Sequence, residues 1–464
     1  MNADARCKRP GAAVTTMLML VGSVWAQPAP YAVDFGQPAG QVKALNGTNI
    51  GPLYKGRNIK TAVQDFKNLN FSTVRLHDVP LDNAGMRLVD YQMIFGNLDA
   101  DPKDPKNYYF EQTDDYLKTI LDCGPKIIYR LGPSIEWSEK KYFVKEPKDH
   151  AHFAEICAGI VRHYNSGWAN GHRWNIAYWE IWNEPNLAGN MWDTGFDTYV
   201  KLYVDVAKRL KSEFPEIKVG GPVLTHADRA LATMFVEACR KEGAPLDFFS
   251  WHGYIRNPSQ CADSVKLVRK ILDDRGFAKT ELHFNEWHYF PCEWSDLTKP
   301  EGLRRWVDSA DGMNGIDSAA FNTLCLTRWQ DVPLDMANFY ATGLATWGLR
   351  CWDNTFRPTY YSLQAFGRFV TETPSRVKAS DSGTDALAIL AGTGPNGEKQ
   401  MLVTAFKAAK AEQAIKLAGV PEKGSARVWR LDATTSGLKE EQVPYADGVI
   451  RLATDGSTVL LVRF

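Results

Sequence analysis

The chain has 464 residues, 44% of them hydrophobic and 23% charged, with Lys plus Arg and Asp plus Glu both at 54 and a formal net charge of zero. That length exceeds what one compact core takes, so a large domain with a smaller companion is expected. The balanced charge excludes bulk electrostatic attraction to nucleic acid or to an anionic membrane.

Residues 1–26 carry Arg6, Lys8 and Arg9, then the apolar stretch Met17 to Val21, then small residues up to Ala26. This is the order of a secretory signal peptide, with cleavage expected near Ala26 and a periplasmic or secreted product. A short membrane anchor is the competing reading. It is disfavoured because the apolar run falls short of the ~20 residues of a span and nothing later approaches that length, so no integral membrane segment is expected. Cleavage leaves 51 Lys plus Arg against 53 Asp plus Glu, and seven of the eight cysteines. An odd, scattered set argues against a disulfide framework in a domain of this size, although Cys261 with Cys292 is the pair that loop-like sequence favours. No CxxC motif, metal-ligand spacing or cofactor motif appears, so neither metal nor cofactor is expected.

The segment 27–39 contains YAVDF (31–35), a strand expected to pair with the C-terminal domain. Across residues 40–372, eight short apolar runs alternate with stretches of helical period, the pattern of a mostly parallel sheet. The runs are VKALNG (42–47), STVRLH (72–77), KIIYRLG (126–132), IAYWEIW (176–182), IKVGGP (217–222), LDFFSWH (246–252), ELHFNEW (281–287) and LDMANFY (334–340). Amphipathic stretches such as 113–123, 152–164, 196–214 and 263–276 lie between them. Eight strands with their helices predict an α/β fold, a (β/α)₈ TIM barrel. From residue 373 to 464 the texture changes to ALAILAG, QMLVTAF, ARVWRLD, GVIRLAT and TVLLVRF, separated by turn signals, which predicts a small β-sandwich.

In such a barrel chemistry sits at the C-terminal ends of strands. The fourth run continues as YWEIWNEPNL (178–187), where Pro185 cannot join a ladder and leaves Glu184 at the strand's end. The seventh run places Glu286 correspondingly, 102 residues later. Three βα units of a ~250-residue barrel span roughly 94 residues, so the two carboxylates are expected to face each other across the mouth. A facing Glu pair is the equipment for cleaving a glycosidic bond: one carboxyl protonates the leaving oxygen while the other stabilises or attacks the anomeric carbon. A gap of roughly 5–5.5 Å gives retention and ~6.5–9.5 Å inversion, and the sequence leaves that choice open.

WEIWNEPN resembles the strand-four acid/base motif of the clan A glycoside hydrolases, and in its extended form is similar to glycoside hydrolase family 39, which contains β-xylosidases and α-L-iduronidases. VRLHD with Arg75 and His77, FFSWHGY with His252 and Tyr254, and FRPTYYSLQAF (356–366) resemble further segments of that family, over residues 40 to 370. The resemblance implies a retaining hydrolase with Glu184 as acid/base, Glu286 as nucleophile and an oligosaccharide or polysaccharide as partner. Asn183 is then placed to bond a sugar 2-hydroxyl. Tyr254 is placed to keep Glu286 ionised by donating to it, while burial and the charge of Glu286 raise the pKa of Glu184. His77, His252 and Arg75 are the remaining polar candidates for substrate contact. Trp137, Trp182, Trp287, Trp347 and Trp352 offer rings to a pyranose face, although each is more readily a packing residue.

Glu180 points to a structural role paired with Arg75, which orients carboxylates as readily as it touches substrate. HFNEWH is not a metal motif, because its glutamate is misplaced between the histidines. Pro291 to Asp311 and the acidic stretch around Asn97 to Asp104 read as specificity loops. An exo-acting, β-xylosidase-like enzyme is the leading expectation. An endo-acting clan A glycanase and a non-catalytic carbohydrate-binding protein are the alternatives.

Overall fold

The computed structural model describes residues 31–52, 59–78, 87–136, 138–343, 346–351, 353, 355–380 and 383–464. The expected leader, Trp137 and Trp352 lie outside the described residues. Strand β1, Tyr31–Gln41, belongs to the companion sheet, and the barrel begins after it. Its strands are β2 (Gly47–Asn49), β3 (Thr73–Arg75), β4 (Lys126–Leu131), β5 (Tyr178–Ile181), β6 (Lys218–Leu224), β7 (Phe248–Ile255), β8 (Glu281–Tyr289) and β9 (Met336–Phe339). Each pairs in parallel with the next, and β9 closes on β2 through Gly47 opposite Asn338 and Thr48 opposite Phe339.

The eight expected runs therefore become the eight barrel strands in order, with one displacement. The first strand is formed by Gly47–Asn49, not by 42–47, because ladder partners exist only from Gly47 onward. Val42 instead donates its N–H to the carbonyl of Pro374 at the junction with the companion sheet. The amphipathic stretches fold as helices that bury their apolar stripes on the barrel, among them Glu111–Leu121, His150–Asn165, Phe196–Glu213 and Ser259–Asp273. Aspartates start two of the helices: Asp149 accepts from the N–H groups of Ala151 and His152, and Asp228 from that of Leu231.

Beyond the barrel come β10 (Ser375–Ala379), β11 (Leu387–Thr393), β12 (Lys399–Ala418), β13 (Gly424–Leu431), β14 (Lys439–Ala446) and β15 (Val449–Arg463). They form one sheet in the order β1-β10-β11-β12-β15-β13-β14. The first four residues of β1 also pair with the far end of β12, so the sheet folds over on itself. The register shifts between Ala405 and Ala411 allow that bend. Met401, Val403 and Ile415 of β12 then share one core with Val33, Ile389, Ile450 and Leu460. The intervening residues Leu402, Val459 and Leu461 face the barrel, against the helices Ile316–Arg328 and Pro358–Glu372. Two expected runs, GVIRLAT and TVLLVRF, are one strand, β15, because the turn-like residues between them run on opposite the bulges of β12 instead of reversing the chain.

All seven described cysteines are free thiols, which corrects the pairing of Cys261 with Cys292. Cys261 is buried in the main core from a helix, whereas Cys292 packs in a separate cluster with Phe290 and Met313. Among the described residues no helix is long and apolar enough to cross a membrane.

Candidate active site

The C-terminal mouth of the barrel holds a cleft of about 920 Å³ lined by Glu184, Glu286, His77, Asn183, His252 and Tyr254, together with Asp78, Tyr340, Trp294 and Trp347. Its floor is a buried polar network centred on Arg75, which is wholly inaccessible. The guanidinium donates to Glu180 (2.6 Å), Asn183 Oδ1 (2.6 Å), Asn49 Oδ1 (3.0 Å) and Glu286 Oε2 (3.2 Å). Asn285 donates to the other oxygen of Glu180. Arg75 is thus a positioning residue that no sugar reaches, which corrects the expectation that it contacts substrate; its reach is consumed by side chains from β2, β8 and the end of β5. Asn183 gives its oxygen to Arg75, so what it can offer a sugar hydroxyl is the amide NH₂.

The chain leaves β5 under strain. Trp182 and Glu184 both adopt positive φ, 70° and 43°, and the Glu184 N–H donates to the carbonyl of Val223 at 3.0 Å. Left-handed conformations at residues other than glycine cost of order 1–3 kcal/mol and persist where surrounding packing imposes them. Here the backbone reversal aims the Glu184 carboxyl into the mouth. Gly132 at the end of β4 makes room for it, since a Cβ there would stand 2.9 Å from the Cα of Trp182.

Glu184 and Glu286 meet around His252, whose Nδ1 is 2.8 Å from Glu184 Oε1 and 3.6 Å from Glu286 Oε2. An oxygen of each carboxylate and a nitrogen of His252 lie within 4.8 Å of one another. Burial pushes the Glu184 pKa up to about 7, against the opposing pull of Arg75 and His226. Burial also raises that of Glu286, reinforced by the charge of Glu184, while His252, Arg75 and Tyr254 hold it back. Tyr254 donates to Glu286 Oε1 at 2.6 Å, the contact expected of it. Its effect has the expected sign but is smaller than that of burial. When the pair carries one charge, that charge belongs on Glu286, which receives two direct donors from Tyr254 and Arg75 where Glu184, among the described residues, has His252 alone. Burial lowers the pKa of His252 to about 4, so the ring is neutral between them.

His77 lies at the cleft wall, 3.3 Å from Asp78, with its Nδ1 buried and without a partner among the described residues. Asp78 accepts from the N–H of Ile135 (2.9 Å) and from Tyr340 (3.0 Å), and burial raises its pKa to about 6. Asp78, Tyr340 and Trp294 are site residues that motif reading does not single out, yet each has a signal. Asp78 directly follows VRLH, Tyr340 ends the eighth run, and Trp294 lies in the loop after Glu286.

The expected tryptophans divide. Trp347 lines the cleft with its ring 5.2 Å from Tyr254 and 6.0 Å from Trp294, which is 55% exposed. Trp182 and Trp287 do not reach the cleft and take the packing role, not that of a sugar platform. Trp182 is wholly buried, donates to the carbonyl of Met191 and packs on Trp192. Trp287 follows the inward-facing Glu286 and so points to the opposite side of β8, against Trp329 and Phe339.

A closed parallel barrel with two glutamates converging at its C-terminal mouth defines a class, the (β/α)₈ barrels with a paired-carboxylate site. The model of glycosyl hydrolases family 39 matches residues 54–297, more than half of the chain, and the protein belongs to that family. A β-xylosidase of Geobacillus stearothermophilus is 26% identical over 251 residues, 48% of this chain and 47% of that protein. A β-xylosidase of Caldicellulosiruptor saccharolyticus is 32% identical over 196 residues, 40% and 37% of the two chains. The matched region thus spans less than half the length of either relative. In fold, a glucosidase from Croceicoccus marinus superposes with a TM-score of 0.76 at 21% identity, over 93% of this chain and 98% of that one. A monomeric β-xylosidase from Caulobacter crescentus does so with a TM-score of 0.69 at 17% identity, over 93% and 98%.

Proposed function

We propose that this protein is an exported, retaining glycosidase that removes terminal sugars from oligosaccharides, with β-xylosidase-like specificity. The observation that carries the retaining reading is the approach of Glu184 and Glu286, with an oxygen of each within 4.8 Å of the other. An approach this close is nearer to the roughly 5–5.5 Å between the carboxyls of retaining pairs than to the ~6.5–9.5 Å that inverting enzymes keep for their water. Glu184, protonated below about pH 7, donates its proton to the glycosidic oxygen as the C–O bond breaks. Glu286, held as the anion by Tyr254 and Arg75, attacks the anomeric carbon to form a glycosyl ester. The leaving group departs, and Glu184, now ionised, takes a proton from the water that attacks the ester. The amide of Asn183 meets the sugar 2-hydroxyl, where bonding strengthens as positive charge develops on the ring.

Xylose as the sugar is supported by the two β-xylosidases that match in sequence. Export rests on the leader-like residues 1–26. The test is a screen of p-nitrophenyl glycosides of xylose, arabinose, glucose, galactose, fucose and uronic acids, with proton NMR of the anomer first released. Release of β-xylose as the first-formed anomer from the β-xyloside is expected, and α-xylose as first product would overturn the mechanism. Chain-length analysis of products from xylo-oligosaccharides separates end-cleavage from internal cleavage. Glu286→Ala is expected to lower turnover by about 10⁴-fold or more; ordinary turnover in that variant would remove the assignment altogether.

A further inference from the structure

On the outer helical layer, Asp114 from the helix Glu111–Leu121 meets His163 from the end of His150–Asn165 and His172 from the loop that follows. Asp114 and His163 line a second cavity, of about 980 Å³, which shares no lining residue with the cleft of the two glutamates.

The hydrogen bonding of His163 is unbalanced. Its Nδ1 is 3.0 Å from the carbonyl oxygen of Trp168, which can only accept, so that nitrogen carries the proton. In the neutral ring Nε2 then presents a lone pair to Asp114 Oδ1 at 3.0 Å, acceptor against acceptor. A second proton on the ring or a cation between the two groups removes the conflict. A proton on His163 leaves a second feature unexplained. His172 Nε2 lies 3.3 Å from Asp114 Oδ2, yet this buried atom has no hydrogen-bond partner among the described residues.

Both features fit co-ligands of one ion. Donors at about 2.0–2.1 Å from a tetrahedral zinc ion are separated by about 3.3 Å. Here His163 Nε2 is 3.0 Å from Asp114 Oδ1 and His172 Nε2 is 3.3 Å from Asp114 Oδ2, so the two rings approach different oxygens of one carboxylate. One donor atom from each of the three residues lies within 4.8 Å of the others. A ring N–H donated to a backbone carbonyl, as from His163 to Trp168, is the usual support for a metal-bound histidine. The rings are also held in place: His163 stacks on Phe110 at 3.5 Å and His172 on Trp174 at 3.8 Å. We propose that Asp114, His163 and His172 form a binding site for a divalent ion of the zinc class, with the fourth position filled by solvent from the adjoining cavity. Two imidazoles and one carboxylate are a donor set that suits zinc over magnesium or calcium. The ion would tie two helices and a loop together outside the active site.

The test uses the mature full-length protein without a polyhistidine tag, treated with chelator and titrated with Zn²⁺ by calorimetry, alongside His172→Gln, Asp114→Asn and Glu286→Gln. The wild type is expected to take up about one equivalent and to gain thermal stability with it. His172→Gln and Asp114→Asn are expected to bind at least about tenfold more weakly. Both keep roughly the size of the side chain, and circular dichroism verifies their fold. Glu286→Gln is expected to bind as the wild type does. Absence of uptake by the wild type overturns the proposal and leaves a charged His163 as a simple staple. Uptake lost in Glu286→Gln but kept in His172→Gln overturns it equally, since the ion then belongs to the glutamate cleft.

Discussion

Replacing Glu184 by glutamine tests the electrostatics of the site through stability, independently of turnover. The Glu184 side chain is 14% exposed, and burial moves its pKa from an ordinary 4.5 to about 7. A carboxyl whose pKa is raised on folding binds more protons in the native than in the unfolded state between those values. It therefore costs nothing well below pH 4.5, and stability falls as pH rises until about 7, after which the full cost remains. At 1.36 kcal/mol for each unit of pKa, the cost at pH 8 is about 3 kcal/mol, and at pH 5 it is under about 1 kcal/mol. A glutamine side chain has the size of the acid and no charge to desolvate. The Glu184→Gln variant should thus be more stable than the wild type at pH 8 by about 3 kcal/mol, a gain of several degrees in Tm, and nearly equal to it at pH 5. Thermal unfolding of both proteins across pH 4–9, followed by circular dichroism, reads the difference directly. An equal offset at every pH would show that Glu184 is not desolvated in the folded protein, and the acid role would lose its physical basis. The same variant should lose more activity on xylobiose than on p-nitrophenyl xyloside, whose leaving group needs less protonic assistance.

Arg75→Met should destabilise the barrel by about 3–5 kcal/mol in denaturant titration, because Glu180 would be left buried without its cationic partner. Tyr254→Phe removes a hydrogen bond to ionised Glu286, so kcat/KM should fall by about 10–100-fold, and the acid limb of its pH profile should move to higher pH. Trp294→Ala should raise KM for xylo-oligosaccharides by about 5–10-fold while leaving p-nitrophenyl xyloside hydrolysis unchanged, since an exposed ring beyond Trp347 serves sugars past the cleaved one.

The barrel is legible because its strands are buried on both faces, and such strands are continuous apolar runs separated by amphipathic helices. Strand β2 is displaced from its expected position since VKALNG reads as strand while GTN, with three small or polar residues, does not; its pairing is imposed by β3 and β9. In the companion sheet β14 has no signature in the sequence because KEEQVPYA is largely polar. The acidic pair is legible for a related reason. A carboxylate beside aromatic residues at a strand's end has no structural explanation in the strand itself, and the chain repeats the arrangement in Glu184 and Glu286. The tryptophans are not separable by composition. Trp287 is assignable by its phase, one residue from Glu286, whereas Trp182 is turned inward by a backbone reversal with no sequence signature.

By itself the sequence determined the order of barrel strands, the strand ends that carry glutamate, and the residues that resemble a glycosidase family. These are local properties, written in the period of apolar residues and in single breaks such as Pro185. The tertiary structure alone decided that Arg75 is sealed beneath the cleft, that His252 stands between the two carboxyls, and that Asp114 gathers two histidines on the far layer. Such arrangements join residues tens to hundreds of positions apart. A side chain's partners, its burial and therefore its affinity for a proton exist only once the strands have closed.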